Sequence, residues 1–69
     1  MTTKLRQARL AAGLSVTQTG FALRVNPSLI SQIESRSRYA YPKIRRELAK
    51  LLQVNEQELF DPEGMAKLA

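Results

Sequence analysis

Apolar residues recur at helical spacing along most of the chain. Leu5, Ala8 and Ala12 fall three and four apart and predict a first helix over residues 3–12, with Gly13 placed to take the left-handed conformation that ends it. Leu14 then turns inward, and Ser15 is a good N-cap for a second helix over residues 16–23. Asn26 and Pro27 open a third helix, because the asparagine side chain can accept an orphan amide and the proline has none to leave unpaired. Along that helix Ile30 and Ile33 mark the inner side, whereas Ser28, Ser31 and Gln32 are polar and face away. Residues 35–41 lack any period and read as a basic loop that stops at Pro42. A fourth helix over residues 42–52 follows, turning Ile44, Leu48 and Leu51 inward with Leu52 nearby, and carrying Lys43, Arg46 and Lys50 as a cationic stripe. Asn55 and Glu58 have the spacing of a capping box for a short fifth helix ending near Phe60.

Asp61 and Pro62 stop that helix, leaving a tail over residues 61–69 expected to form an extra helical turn held by Met65 and Leu68, or to fray. No segment alternates as a strand, so the fold class is all-α: one domain over residues 1–69 with its core at about 3–60. The second and third helices, joined by a tight connection around Val25 with the small Gly20 at their closest approach, form a helix-turn-helix.

A chain of 69 residues buries a modest core and has no room for a deep substrate cavity. Eleven Lys and Arg against six Asp and Glu give a net charge of +5, which favours a polyanionic partner. Without Cys or His, thiolate and imidazole metal sites, disulfides and the commonest general base are all excluded. The scattered carboxylates assemble no catalytic cluster, so an enzyme is not expected, nor a cofactor, a metal or a small-molecule ligand. Neither a run of about 18 apolar residues nor a signal-peptide core is present, which argues against a membrane and for a cytoplasmic location.

The stretch LSVTQTGFALRVNPSLISQIES, followed by a basic loop and PKIRRELAKLLQVNEQELF, resembles the phage-repressor and Cro family of helix-turn-helix regulators, also called lambda-repressor-like or xenobiotic-response-element type. The likeness covers about residues 5–60 and implies a compact five-helix bundle. Three positions depart from the family pattern. Val16 stands where a DNA-bonding Gln is usual, Arg24 where Gly is preferred in the turn, and Thr19 where an apolar residue is usual. Arg24 would adopt a left-handed backbone at a cost of roughly 1 kcal/mol, and Phe21 or Ala22 is expected to rotate inward in place of Thr19.

The resemblance implies that the third helix enters the major groove of double-stranded DNA, where every base pair shows a distinct donor and acceptor pattern. Pro27, Ser28, Leu29, Ser31 and Gln32 are the expected base contacts, with the Gln32 amide suited to a bidentate match with adenine. Asn26, Arg36, Arg38, Tyr39, Tyr41, Lys43 and Arg46 are the expected contacts to the DNA backbone. By family position Arg9 and Glu34 form a structural ion pair. The family also implies a homodimer, weak until bound to a palindromic operator, with an interface at Gln53, Val54, Asn55, Gln57 and Phe60. Transcriptional repression by occlusion of a promoter is the expected outcome. The competing readings are a protein-interaction module or an antitoxin-type protein on the same fold.

Overall fold

A computed structural model describes residues 2–69. Five helices follow one another: α1 (Lys4–Ala11), α2 (Val16–Leu23), α3 (Pro27–Glu34), α4 (Pro42–Leu52) and α5 (Glu56–Leu59). Side chains close the N-termini of the first three. Thr3 Oγ1 accepts from the Arg6 amide, Asn26 Oδ1 accepts from the Ser28 amide, and Ser15 and Gln18 form a reciprocal capping box at α2. Asn55 makes no such cap at α5. There the Glu58 amide bonds to the Asn55 carbonyl at 3.0 Å, a tight turn that uses the donor the capping side chain would have met.

The ends of α1, α2, α3 and α4 share one device. After each, a residue at positive φ turns the chain so that two amides bond back to the last turn: Gly13 (φ 74), Arg24 (φ 58), Arg36 (φ 63) and Gln53 (φ 56). Only the first is glycine. The other three hold a left-handed backbone that disfavours a Cβ by about 1 kcal/mol or more each.

The core gathers Leu5 from α1, Ile30 and Ile33 from α3, Ile44, Leu48 and Leu52 from α4, and Leu59, Phe60, Ala40 and Ala66 from the segments around them. Helix α1 presents Leu5 and Arg9 inward, with Ala8 half-buried and Ala12 exposed, so the arginine occupies the inner position expected of a small apolar residue. In α4 it is Leu52, not Leu51, that completes the buried row, because a spacing of four from Leu48 keeps it on the core side. Thr19 is fully buried, and its hydroxyl donates to the Ser15 carbonyl at 2.9 Å. A β-branched side chain with its one polar atom satisfied fills the apolar position, so Phe21 (70% exposed) and Ala22 stay on the surface.

The tail neither forms a helical turn nor frays. It returns in extended form between the start of α1 and the end of α5: the Lys4 amide donates to the Lys67 carbonyl, the Lys67 amide to the Leu59 carbonyl and the Asp61 amide to the Met65 carbonyl, each at 2.9 Å. Isolated bridges join Thr3 to Leu68 and Phe60 to Ala66. Pro62 lacks an amide and Gly64 sits at φ 97, so a helix cannot run through, and the small Ala66, fully buried, anchors the strap. Phe60 has left the helix with extended backbone, and its ring lies in this core at 2% exposure. It is therefore not a surface residue available to a second copy.

Candidate nucleic-acid interface

Helices α2 and α3 form the main interhelical contact of the molecule. They approach so closely at Gly20 that a Cβ there would lie 3.0 Å from backbone and ring atoms of Pro27. The Val25 amide donates to the Gly20 carbonyl at 2.9 Å, and Asn26 then caps α3. This short connection sets α3 against α2 while Ile30 and Ile33 sink into the core.

A second constraint comes from α1. The Arg9 guanidinium holds Glu34 through two hydrogen bonds, Nε to Oε2 and Nη2 to Oε1, the latter at 3.1 Å, and its Nη1 donates to the Leu14 carbonyl at 2.7 Å. Both side chains are almost fully buried, Arg9 at 6% and Glu34 at 8% exposure. The fork of one cation therefore ties together α1, the loop after it and the last residue of α3.

What this leaves outward is a polar flank. Asn26, Ser28, Ser31 and Gln32 are exposed. Pro27 is half-buried against α2, and Leu29 is half-buried on the core, so both lie at the margins of the flank. The chain then turns back on α3. The Gln32 carbonyl accepts from the Ser37 amide at 2.9 Å and from Ser35 Oγ at 3.1 Å, and Arg38 Nη1 donates to the Gln32 side-chain oxygen at 3.1 Å. Sequence reasoning placed Gln32 and Arg38 in separate roles; they are in contact.

The remaining backbone-contact candidates lie on the surface. Arg36, Tyr39, Tyr41, Lys43 and Arg46 are all exposed, and Tyr39 and Tyr41 keep their rings off the core at 57% and 46% exposure. Between them the buried Ala40 pins the loop, its amide donating to the Gly64 carbonyl at 2.8 Å. Tyr41 and Lys43 share with Arg24 the rim of a surface groove of about 460 Å³ between the turn and α4. The start of α4 has no side-chain cap, which leaves first-turn amides and the positive end of the helix dipole open to an anion.

Two functional features had no clear sequence signal. Arg45 turns away from the cationic stripe, donating to the Ala40 carbonyl and pairing with Glu56 at 3.4 Å, so it braces the loop that carries Arg38 and both tyrosines. Val16, where a Gln is usual, is half-buried against the core, and Gln18 is engaged in the capping box. The N-terminus of α2 is thus built for packing and capping.

At the expected dimer surface Gln53, Asn55 and Gln57 are exposed, Val54 is half-buried on the core and Phe60 is internal. A shallow hollow of about 470 Å³ beside them is lined by Ala49, Lys50, Gln53, Val54, Asn55, Glu56 and Glu58. Among the described residues no group of His, Cys, Asp and Glu could hold a metal, and no helix is long and apolar enough to cross a membrane.

Residues 1–61 match a family described as a helix-turn-helix domain. The chain belongs to the helix-turn-helix domain family. The match spans all five helices and agrees with the resemblance to the Cro and lambda-repressor type. No curated protein and no solved structure matches the chain significantly. Within this helix-turn-helix domain α3 occupies the place of the DNA-reading helix, so the family points to DNA as the partner.

Proposed function

We propose that this helix-turn-helix domain is a sequence-specific transcriptional regulator, a repressor that lays α3 in the major groove of a palindromic operator and blocks the promoter it overlaps. The observation that carries the reading is the two-sidedness of α3. Ile30, Ile33 and Glu34 are held from within, while Ser28, Ser31 and Gln32 are exposed toward base edges. Pro27 and Leu29, at the margins, present apolar surface suited to a thymine methyl. Asn26, Arg36, Tyr39, Tyr41, Lys43, Arg46 and the open start of α4 supply phosphate contacts, and the net charge of +5 supports them.

A single half-site of a few base pairs gives little discrimination, so two copies bind half-sites one helical turn apart, about 34 Å. Gln53, Val54, Asn55 and Gln57 form the contact between copies. This surface is mostly polar and keeps the free protein a weak dimer or a monomer. The protein acts in the cytoplasm with DNA as its ligand and without a cofactor.

Selection of bound sequences from random duplexes at two salt concentrations tests the reading. The expected product is an imperfect palindrome, with an affinity that falls steeply as salt rises. Lys43→Ala should weaken all sequences alike and reduce the logarithmic salt slope by about 0.9. Sedimentation with and without the selected duplex should show two copies on DNA. Enrichment of nothing, together with salt-insensitive behaviour, would remove the regulator reading.

A further inference from the structure

The contact between Arg38 and Gln32 alters what the outer flank of α3 can recognise. A free glutamine amide offers one acceptor and one donor side by side, which matches adenine N6–H and N7. Here one lone pair of that acceptor is engaged: Gln32 Oε1 receives Arg38 Nη1 at 3.1 Å. What remains is one Oε1 lone pair, the Gln32 –NH₂ group and the unused N–H groups of the Arg38 guanidinium, an edge where donors outnumber acceptors beside a positive charge. Adenine, with one acceptor (N7) and one donor (N6), sets its amino group against the added guanidinium donors and is matched less well. Guanine presents two acceptors, O6 and N7, and fits it.

The contact is a product of local folding. Helix α3 ends with Arg36 in the left-handed conformation (φ 63), and the Ser37 amide returns to the Gln32 carbonyl at 2.9 Å. Ser35 Oγ donates to that same carbonyl and lies 2.9 Å from Ser37 Oγ. The turn is thereby fastened to the backbone of Gln32, and the next residue in the chain is Arg38. Further along, the Ala40 amide on Gly64 and the Arg45 side chain on the Ala40 carbonyl hold the loop from its other end.

We infer that Gln32 and Arg38 act as one composite reader, which shifts the base preference at the Gln32 position from adenine to guanine. Arg38 is then a specificity-determining residue and not a general phosphate clamp. This rests on the DNA-binding role proposed above.

The test is sequence selection from random duplexes with the full chain as wild type, Gln32→Ala, Arg38→Ala and Arg38→Met, run at low salt so that weakened variants stay in range. Circular dichroism and thermal melting confirm that these variants of exposed residues are folded. Gln32→Ala identifies the position read by losing preference there. Wild type should prefer guanine over adenine at that position by about 5- to 100-fold, and both Arg38 variants should lose guanine and gain adenine there while the other positions of the motif are retained. Adenine in the wild-type motif overturns the inference. So does a uniform loss of affinity in the Arg38 variants without a change of base, because that is the signature of a phosphate contact. If the wild type enriches no sequence, the failure lies one step earlier, with the regulator reading itself.

Discussion

The two flanks of α3 differ in what holds them. On the inner flank Ile30 and Ile33 are fully buried and Glu34 is held by a nearly buried guanidinium from α1, so apolar burial and a charged clamp both act on one eight-residue helix. On the outer flank Ser28, Ser31 and Gln32 are exposed, and the side-chain contact made there to another part of the chain is that of Gln32 with Arg38. One helix thus joins an anchored flank to an exposed one, the flank proposed above to read DNA. The loop arginines divide in the same way. Arg38 lies on α3, whereas Arg36, two residues earlier, contributes its charge to the Asp61 turn of the tail.

The strongest way to break this division is to attack the inner flank. Arg9→Ala leaves Glu34 buried without its partner, and such a loss costs about 3–5 kcal/mol. A domain of this length has a total stability on the order of 3–10 kcal/mol, so the variant is expected to be largely unfolded or to melt far below wild type. The paired variant Arg9→Met with Glu34→Leu removes both charges and should recover most of the loss. Urea unfolding of the single and paired variants measures the coupling. On the outer flank, Ser28→Ala and Ser31→Ala should stay within about 0.5 kcal/mol of wild type. An equal loss on both flanks would contradict the separation.

Gly20 tests the same point through geometry. Gly20→Ala places a Cβ 3.0 Å from Pro27 backbone, which forces α3 to shift, but it also gains about 1 kcal/mol of helix propensity. The two effects offset each other. Gly20→Val adds bulk and loses much of the propensity gain, so it should destabilise by about 1–3 kcal/mol. It should also lower DNA affinity at temperatures where the protein is folded, because the misplaced element is α3 itself.

Arg24 offers an opposite sign. Its left-handed backbone, φ 58 and ψ 42, is one that glycine adopts freely. Arg24→Gly should therefore raise stability by about 0.5–1 kcal/mol, less whatever the freer unfolded chain takes back. The thermal midpoint should rise while α3 keeps its place. A fall would mean that the Arg24 side chain, on the rim of the groove with Tyr41 and Lys43, contributes more than its backbone loses.

Most of the helical frame was legible because periodicity and caps agreed: the bounds of α2 and α4, the cap at Asn26 and the inward Ile30, Ile33, Ile44 and Leu48 all follow from residue spacing. The left-handed Arg24 was readable from its place against the family pattern. What escaped shares a physical cause, namely contacts that helical periods do not encode. Ala66 looks unremarkable in sequence, yet it anchors an extended tail through backbone bonds that any residue can make. Arg45 serves a carbonyl and a glutamate from a different helix. The six-residue separation of Gln32 and Arg38 matches no helical repeat, and only the turn at Arg36 brings them together. Phe60, expected at the contact between copies although its apolar ring also suits the core, lies in the core where the tail closes beside it.

The smallest expected effect lies farthest from α3, at the turn of the tail, and it asks whether the strap can loosen while the reading helix stays placed. The Asp61 carboxylate accepts from the Met65 amide at 3.1 Å and the Glu63 amide at 2.9 Å. The bond from Met65 is the largest influence, and with the Glu63 and Gly64 amides and the Arg36 charge it holds the Asp61 carboxyl below its ordinary value of 3.8, against a smaller opposing contribution from desolvation. A depressed carboxyl stabilises the fold in its charged form. That stabilisation is complete above the ordinary value and is lost as pH falls through the lower folded one, so the turn is favoured near neutrality and weakened in acid. Amide protection, measured against the intrinsic exchange rate at each pH, should then fall at Glu63 and Met65 as the pH drops below about 4, ahead of any change at Ile30 or Ile33. Asp61→Asn should flatten that dependence at the turn. If instead the α3 amides loosen in step with those of the tail, the strap and the reading helix belong to one cooperative unit, and the independence of the two regions is lost.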